Sequence, residues 1–320
     1  MDRRRAIGIA LAAASACGYG SGPLFAKGVY GAGVDWLTLL AWRFLIGALI
    51  SWAWLLAWPA SRAALRRLSR RRAIVLLGLG AFFVCNASTY YAALETVPAS
   101  LAALILYSYP ALVAVVSIRF GRTLQGPRPW VALGIVTLGV ALTIGGIRAG
   151  GNPAGVALVV ASTLIYVVYI ILSARVAGER PGVTAEQRSG GAGADTPPAV
   201  AAAVMMTGTC AVVVALALVA GEPVLPWQVP ADAWPGILGI AVFSTALAVQ
   251  AFYAGTARIG ASETALVSTV EPVYTITLAT LLFGESLAPL QLAGGALVVG
   301  GVIIAQTSPG AAVEVPREEA

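Results

Sequence analysis

The sequence predicts an all-α integral membrane protein: ten transmembrane helices, forming two inverted five-helix repeats around a central cavity. Three observations carry that expectation: an apolar composition with few charges, a series of apolar runs of membrane-spanning length, and a stretch in each half that resembles the other. The chain is 59% hydrophobic and 11% charged, against about 25% charged residues in a soluble domain. So few polar side chains could not cover a water-exposed surface, and a lipid-facing one removes the difficulty. Cys17, Cys85 and Cys210 lie far apart within apolar runs, without metal-ligand spacing or a disulfide framework. There is no histidine, which excludes HExxH zinc sites and imidazole-based triads. No metal or cofactor is expected.

A helix rises 1.5 Å per residue, so crossing a hydrocarbon core of ~30 Å takes about 20 apolar residues. That ruler marks ten segments: Ile7–Ala26, Trp36–Leu56, Ala73–Ala93, Pro98–Ile118, Trp130–Ile147, Ala154–Ala174, Val200–Ala220, Pro235–Thr256, Ala261–Phe283 and Leu290–Gln306. The loops around Glu95 and Arg258 barely interrupt the hydropathy. Arg3-Arg4-Arg5 before an apolar run also fits a signal peptide, but Gly22-Pro23 falls where a short apolar region would have ended. An uncleaved first helix is the better reading.

With the N-terminus inside, the 20 basic residues fall on the cytoplasmic side, apart from Lys27, Arg148 and the intramembrane Arg43. Such a bias sets membrane orientation; it does not form a nucleic-acid-binding patch. Both termini are expected in the cytoplasm and the chain in the plasma (cytoplasmic) membrane as a multi-pass protein. Residues 1–150 form the first repeat, or 1–174 with span six added. Residues 151–310 form the second, with a cytoplasmic linker at 175–198 and a cytoplasmic tail at 311–320.

The repeat reads YYAALETVPASLAALILYSYP from Tyr90 and FYAGTARIGASETALVSTVEP from Phe252. Tyr91, Ala92, Ala99, Ser100, Ala103, Leu104 and Pro110 match Tyr253, Ala254, Ala261, Ser262, Ala265, Leu266 and Pro272 at one offset. The match continues into FGRTL (120–124) and FGESL (283–287), then into Gly134/Gly139 and Gly295/Gly300. Five spans per copy force opposite orientations. The loops agree, with arginine in the inner copy and glutamate in the outer. Inverted repeats recur in secondary transporters, whose halves rock about a central site.

In these stretches, and in ACGYGSGPLFAK (16–27) and WRFLIGALI (42–50), the chain resembles the EamA-type permeases of the drug/metabolite transporter superfamily. The best anchors are the fourth and ninth spans, YPALVAVVSIRFGRTL and EPVYTITLATLLFGESL. The first copy departs from the pattern, with Tyr109-Pro110 instead of Glu-Pro and Arg122 where the family often has glutamate. The resemblance implies ten helices around a central cavity and ATP-independent transport of small metabolites.

Polar residues inside apolar runs mark candidate sites. A charged residue at the bilayer centre costs about 2.5–3.5 kcal/mol, while each leucine returns about 0.3–0.6. Glu271 should therefore face inward. Thr264, Ser268, Glu271 and Thr275 recur at spacings of four, three and four, which places them on one helical stripe. Glu271 is read as a ligand for a substrate amine or a coupling proton. The alternative is a structural hydrogen bond beside the break at Pro272. Glu263 is expected at the interface. Ser162, Tyr166, Tyr169 and Ser173 form a second stripe. Asn86 and Tyr90 are a turn apart, and Tyr107 and Tyr109 bracket Ser108. Tyr109 occupies the repeat position of Glu271.

Tyr19 lies in a glycine-rich run, Gly18–Pro23, which permits close packing or a hinge. Arg43 is long enough to reach polar partners or an interface, with direct contact to a substrate as the lesser alternative. The cavity candidates are thus Glu271, Tyr109, Thr264, Ser268, Tyr166, Tyr169, Asn86, Tyr90 and Tyr19. The expected activity is secondary permeation, as an efflux carrier of a small polar or amphipathic, amino-acid-like metabolite. The alternatives are a membrane-embedded enzyme for lipid-linked substrates, which the scattered acids do not favour, and a non-transporting membrane subunit.

Overall fold

Asp35, Ser69 and Asn152 each turn the chain into a helix in the same way: a side-chain oxygen accepts backbone N–H groups of the first turn, at 2.6 and 2.9 Å for Asp35, 3.2 Å for Ser69, and 3.0 and 3.3 Å for Asn152. This satisfies donors that have no partner within the helix. Proline opens the helices at Pro59, Pro153, Pro198 and Pro289, where its missing N–H costs nothing.

The computed structural model describes residues 3–118, 127–145, 152–176 and 196–306, and among these the regular structure is helical. FGRTL at 120–124, residues 177–195 of the long loop and the tail from 307 lie outside the described residues. The helices are α1 (Arg3–Gly31), α2 (Trp36–Ala57), α3 (Pro59–Arg66), α4 (Arg70–Leu94), α5 (Ala99–Leu106), α6 (Tyr109–Ile118) and α7 (Arg128–Gly145). They continue with α8 (Pro153–Val176), α9 (Pro198–Ala220), α10 (Trp234–Ala241), a π-helical turn (Val242–Leu247), α11 (Ala248–Val267), α12 (Val270–Phe283) and α13 (Pro289–Gln306).

Among the described residues, six helices are long and apolar enough to cross a membrane: Arg3–Gly31, Trp36–Ala57, Arg70–Leu94, Pro153–Ser173, Ala199–Ala220 and Ala231–Thr256. Shorter apolar helices lie at Ala99–Val113, Trp130–Thr143, Val270–Phe283 and Pro289–Ile304. Large apolar side chains such as Ile74, Leu138, Leu164, Leu218 and Leu281 face outward, as a lipid-facing surface requires.

Three elements differ from the sequence expectation. Span four is not one helix: it breaks at Tyr107-Ser108, one residue short of Pro110, which has no N–H for the Leu106 carbonyl and whose ring would clash with it. The loop expected near Arg258 is absent, because α11 continues to Val267 with no proline to stop it. The break comes instead at Ser268-Thr269, ahead of Pro272. There Glu271 N–H donates to Ser268 O at 3.0 Å, so a tightened turn occupies the carbonyl that proline cannot bond. The third is α3, in a stretch read as loop. Its Ala64 and Leu65 pack, with Trp52 and Leu68, around Leu55, Leu76 and Val204, while Arg62 and Arg66 are exposed.

α1 packs against α10, α11 and α12; α4 against α8 and α9; α2 against α9 and α10; α7 against α13. Small residues permit these approaches, as is usual for helices in lipid. A Cβ on Gly80 of α4 would collide with the carbonyl of Met205 on α9, and one on Gly208 with that of Leu77. Thr209 Oγ1 donates across the same joint to Gly80 O at 2.8 Å. Gly139 and Gly294 do the equivalent for α7 and α13, where a Cβ on Gly139 would stand 2.7 Å from Gly294 O.

Gly80→Val is therefore predicted to cost at least about 1–3 kcal/mol, as overpacking against backbone does. Gly78→Ala, with nothing within 4 Å of its Cβ position, should leave stability unchanged or slightly raised. Thermal unfolding in detergent checks the pair; equal midpoints would contradict the packing.

Candidate functional site

The glycine run of α1 forms one wall of a polar centre. Gly18, Gly20 and Gly22 each meet a different neighbour: an added Cβ would stand 2.9 Å from the Phe243 carbonyl, 2.6 Å from Thr275 Oγ1 and 2.7 Å from Ser244 Oγ, respectively. Hydrogen bonds follow the same contacts. Ser15 Oγ donates to Ala248 O at 2.8 Å, Thr275 Oγ1 donates to Gly20 O at 3.0 Å, and the Ser21 hydroxyl meets that of Tyr274 at 3.2 Å. Close packing is thus the structural use of this run.

Glu271 sits in the first turn of α12, just past the break. Among the described residues its carboxylate has no hydrogen-bond or ion-pair partner, so the structural hydrogen bond weighed for it is not formed. Its charge acts on Tyr90, Tyr107, Tyr109 and Tyr166 from four different helical elements or breaks, and on Tyr91 and Cys17. The tyrosines form a continuous aromatic wall. Ring centroids are 5.9 Å apart for Tyr107–Tyr109, 4.8 Å for Tyr109–Tyr166 and 6.0 Å for Tyr166–Tyr169. The wall runs on through Phe83, 4.9 Å from Tyr169, to Phe44 at 6.2 Å. Such edge and offset contacts suit the ring quadrupoles.

Of the residues singled out from the sequence, Glu271, Tyr109, Tyr166 and Tyr90 converge here, Tyr169 extends the wall, and Tyr19 lies within electrostatic range of Tyr109. Asn86 does not join them. Its Nδ2 donates to Ser162 O and Ser162 Oγ, both at 2.9 Å, and the Ser162 hydroxyl donates back to Asn86 O at 3.2 Å. Asn86 and Ser162 tie α4 to α8. Ser268 Oγ donates to Thr264 O, 2.9 Å away on its own helix, and Thr264 is fully buried. The side chain of Glu263 lies outside the described residues.

Two further charged groups have structural partners that their spacing does not suggest. Arg43 of α2 is 9% exposed. Its Nε donates to Thr245 Oγ1 at 3.0 Å, and its guanidinium carbon lies 4.9 Å from the Tyr91 ring centre and 5.1 Å from that of Phe44. Thr245 belongs to the π-helical turn, and its hydroxyl donates to Ile240 O at 3.0 Å. A single arginine among apolar residues carries no spacing signal, so the sequence leaves its partners open.

The second group is Glu285. Gly284 takes a left-handed φ of 65°, open to glycine at little cost, and ends α12. Glu285 then caps α5, accepting from Ala99 N and Ser100 N at 2.9 Å each and from Ser100 Oγ at 2.7 Å. Nearby, Lys27 Nζ donates to Val97 O at 2.9 Å.

Membrane-length apolar helices with outward-facing apolar side chains, and Arg43 and Glu271 within apolar helices, define a multi-pass membrane protein. The family model for the EamA-like transporter family matches residues 6–145 and 189–307, and the chain belongs to that family of membrane transporters. It is 26% identical over 256 residues to the threonine/homoserine exporter RhtA of Escherichia coli (strain K12), covering 79% of this chain and 75% of that one. It is 24% identical over 230 residues to an uncharacterized transporter of Archaeoglobus fulgidus, covering 72% and 75%. A solved crystal structure superposes with a TM-score of 0.62 at 20% identity, covering 94% of this chain and 97% of its own, and so shares the fold. These relatives point to a transporter of small molecules and not to an enzyme.

Asn86→Ala removes bonds that join two helices. A side-chain hydrogen bond in the membrane contributes about 0.6 kcal/mol on average and up to about 1.7. The predicted result is a small loss of thermal stability, with substrate selectivity retained. A changed selectivity at unchanged stability would put Asn86 in the site after all.

Proposed function

We propose that this chain is a secondary permease that exports a small polar or amphipathic, amino-acid-like metabolite by alternating access. The observation that carries the proposal is the Glu271 carboxylate. It is unpaired among the described residues, stands at a helix break and is surrounded by tyrosines. A carboxylate left without a partner within an apolar membrane helix is costly and marks a solute or ion path. The similarity to a threonine/homoserine exporter supports the solute class.

The proposed architecture is ten membrane helices as two inverted five-helix repeats, with both termini in the cytoplasm. Two structural features support it. The breaks before Tyr109-Pro110 and Glu271-Pro272 fall at matching repeat positions. Helix contacts also come in matching pairs: α1 with α11 and α4 with α8, α1 with α12 and α8 with α5 and α6, α2 with α10 and α4 with α9. Two such halves rock about the central site and expose it to each side in turn. The broken spans are where backbone geometry can change without rebuilding a continuous helix.

Glu271 is proposed to take the solute's amine or a coupling proton. The test is a metabolite-panel efflux assay in proteoliposomes, with and without a pH gradient. Wild-type protein should move amino-acid-like solutes. Glu271→Gln should lower the rate by about tenfold or more, as loss of a buried charge contact does, or abolish the response to the gradient. An unchanged rate and pH dependence would remove Glu271 from the mechanism.

A further inference from the structure

We propose that Arg43 recognises a carboxylate and that, with Glu271, it restricts the site to zwitterions: α-amino acids, not the corresponding amines, alcohols or esters. The inference rests on the transport reading above and adds the chemical class of solute and the residue that selects it.

Arginine is charged at any accessible pH and presents five N–H donors in a planar fork that matches a carboxylate. Arg43 is almost fully buried, and no acidic side chain pairs with it among the described residues. Thr245 takes the Nε donor, and the Tyr91 hydroxyl stands within hydrogen-bonding reach of the guanidinium. Tyr91 and Phe44 present their rings to the guanidinium, which compensates part of the lost hydration through the ring quadrupoles. Neither ring neutralises the charge. A desolvated guanidinium held this way is a receptor for an anion that arrives with its own geometry.

The second charge is close by. Tyr90 and Tyr91 feel both Arg43 and Glu271. The same short stretch of α1 borders the neighbourhood of each: a Cβ on Gly20 would stand 3.2 Å from the Glu271 backbone carbonyl, and one on Gly22 2.9 Å from the hydroxyl of Tyr91, whose ring lies 4.9 Å from the Arg43 guanidinium carbon. The two opposite charges nonetheless form no ion pair with each other. A zwitterion satisfies both at once, its carboxylate on Arg43 and its ammonium on Glu271. An amine or ester leaves the guanidinium unmatched, and a hydroxy acid leaves the carboxylate unmatched. Leaving a buried charge unpaired is the larger penalty in recognition.

The experiment uses the full chain in proteoliposomes and follows efflux of L-threonine and L-homoserine against L-threoninol and L-threonine methyl ester, which lack the carboxylate. The expected wild-type preference for the two amino acids is at least about tenfold. Arg43→Gln should lower amino-acid flux by at least about tenfold and bring the ratio of threonine to threoninol flux close to one. Arg43→Lys should fall between.

A wild-type protein that moves threoninol as readily as threonine would overturn the inference without any variant. So would Arg43→Gln with both fluxes lowered in proportion, the result of a purely structural arginine. If the wild type moves neither amino acids nor their analogues but does move another solute, the zwitterion assignment falls while transport stands. If it moves no solute at all, the transport reading falls with it.

Discussion

Arg43 and Glu271 stand in helices otherwise built of apolar residues, and a membrane offers no water to solvate either. Each charge costs about 2.5–3.5 kcal/mol at the bilayer centre on insertion scales, so both must be drawn into the protein, and the helices around them must come close enough to exclude lipid. The glycines of α1 make that possible. With Gly18, Gly20 and Gly22 facing the π-helical turn, Thr275 and Ser244, the first helix reaches the backbones of its partners and seals one side of the centre. The tyrosine wall contributed by α4, α6 and α8 seals another. Bulkier residues along α1 would hold the helices apart and leave both charges facing hydrocarbon.

Compensation of the charges is unequal, and that inequality links the packing to the function. Arg43 has a hydroxyl and two aromatic faces. Glu271 has only its backbone bonds. A transport site needs this incomplete satisfaction, because groups fully matched by the protein have nothing left for a solute. Several polar groups elsewhere are matched by the protein itself. Asn86 is bonded to Ser162, Glu285 to the start of α5, and the threonine hydroxyls of α7, α8 and α9 mostly to the preceding turn. Matched groups such as these hold the helices together, and the proposed solute site lies where Arg43 and Glu271 stay unpaired with each other.

Much of this was legible in the chain. Hydrophobic runs located the long helices to within a few residues, because length and apolarity are set by the bilayer. The paired YYAAL…YP and FYAGT…EP stretches align Pro110 with Pro272, but only the break at Pro272 was expected; a missing N–H has the same consequence at both. The charge cost located Glu271. Periodicity was a weaker guide within the site. Asn86 and Tyr90 share a helix face by spacing, yet one is bonded to α8 and the other lies beside Glu271, a difference fixed by the partner helix. Arg43 forms no stripe, and the partner that positions it, Thr245, is 202 residues away. The loop expected at Arg258 failed for a local reason: a run without proline continues as helix whatever its hydropathy. The apolar cleft beside α3, lined by Trp52, Leu65, Leu77 and Val204, has no ionisable lining and plays no part in this account.

The central claim is that the solute binds between Arg43 and Glu271, against the tyrosine wall. An experimental structure of the protein reconstituted in nanodiscs and saturated with L-threonine tests it most directly. The account predicts solute density with its carboxylate within hydrogen-bond distance of the Arg43 guanidinium and its ammonium directed at Glu271. Threonine density elsewhere, with Arg43 and Glu271 still unoccupied, would contradict it.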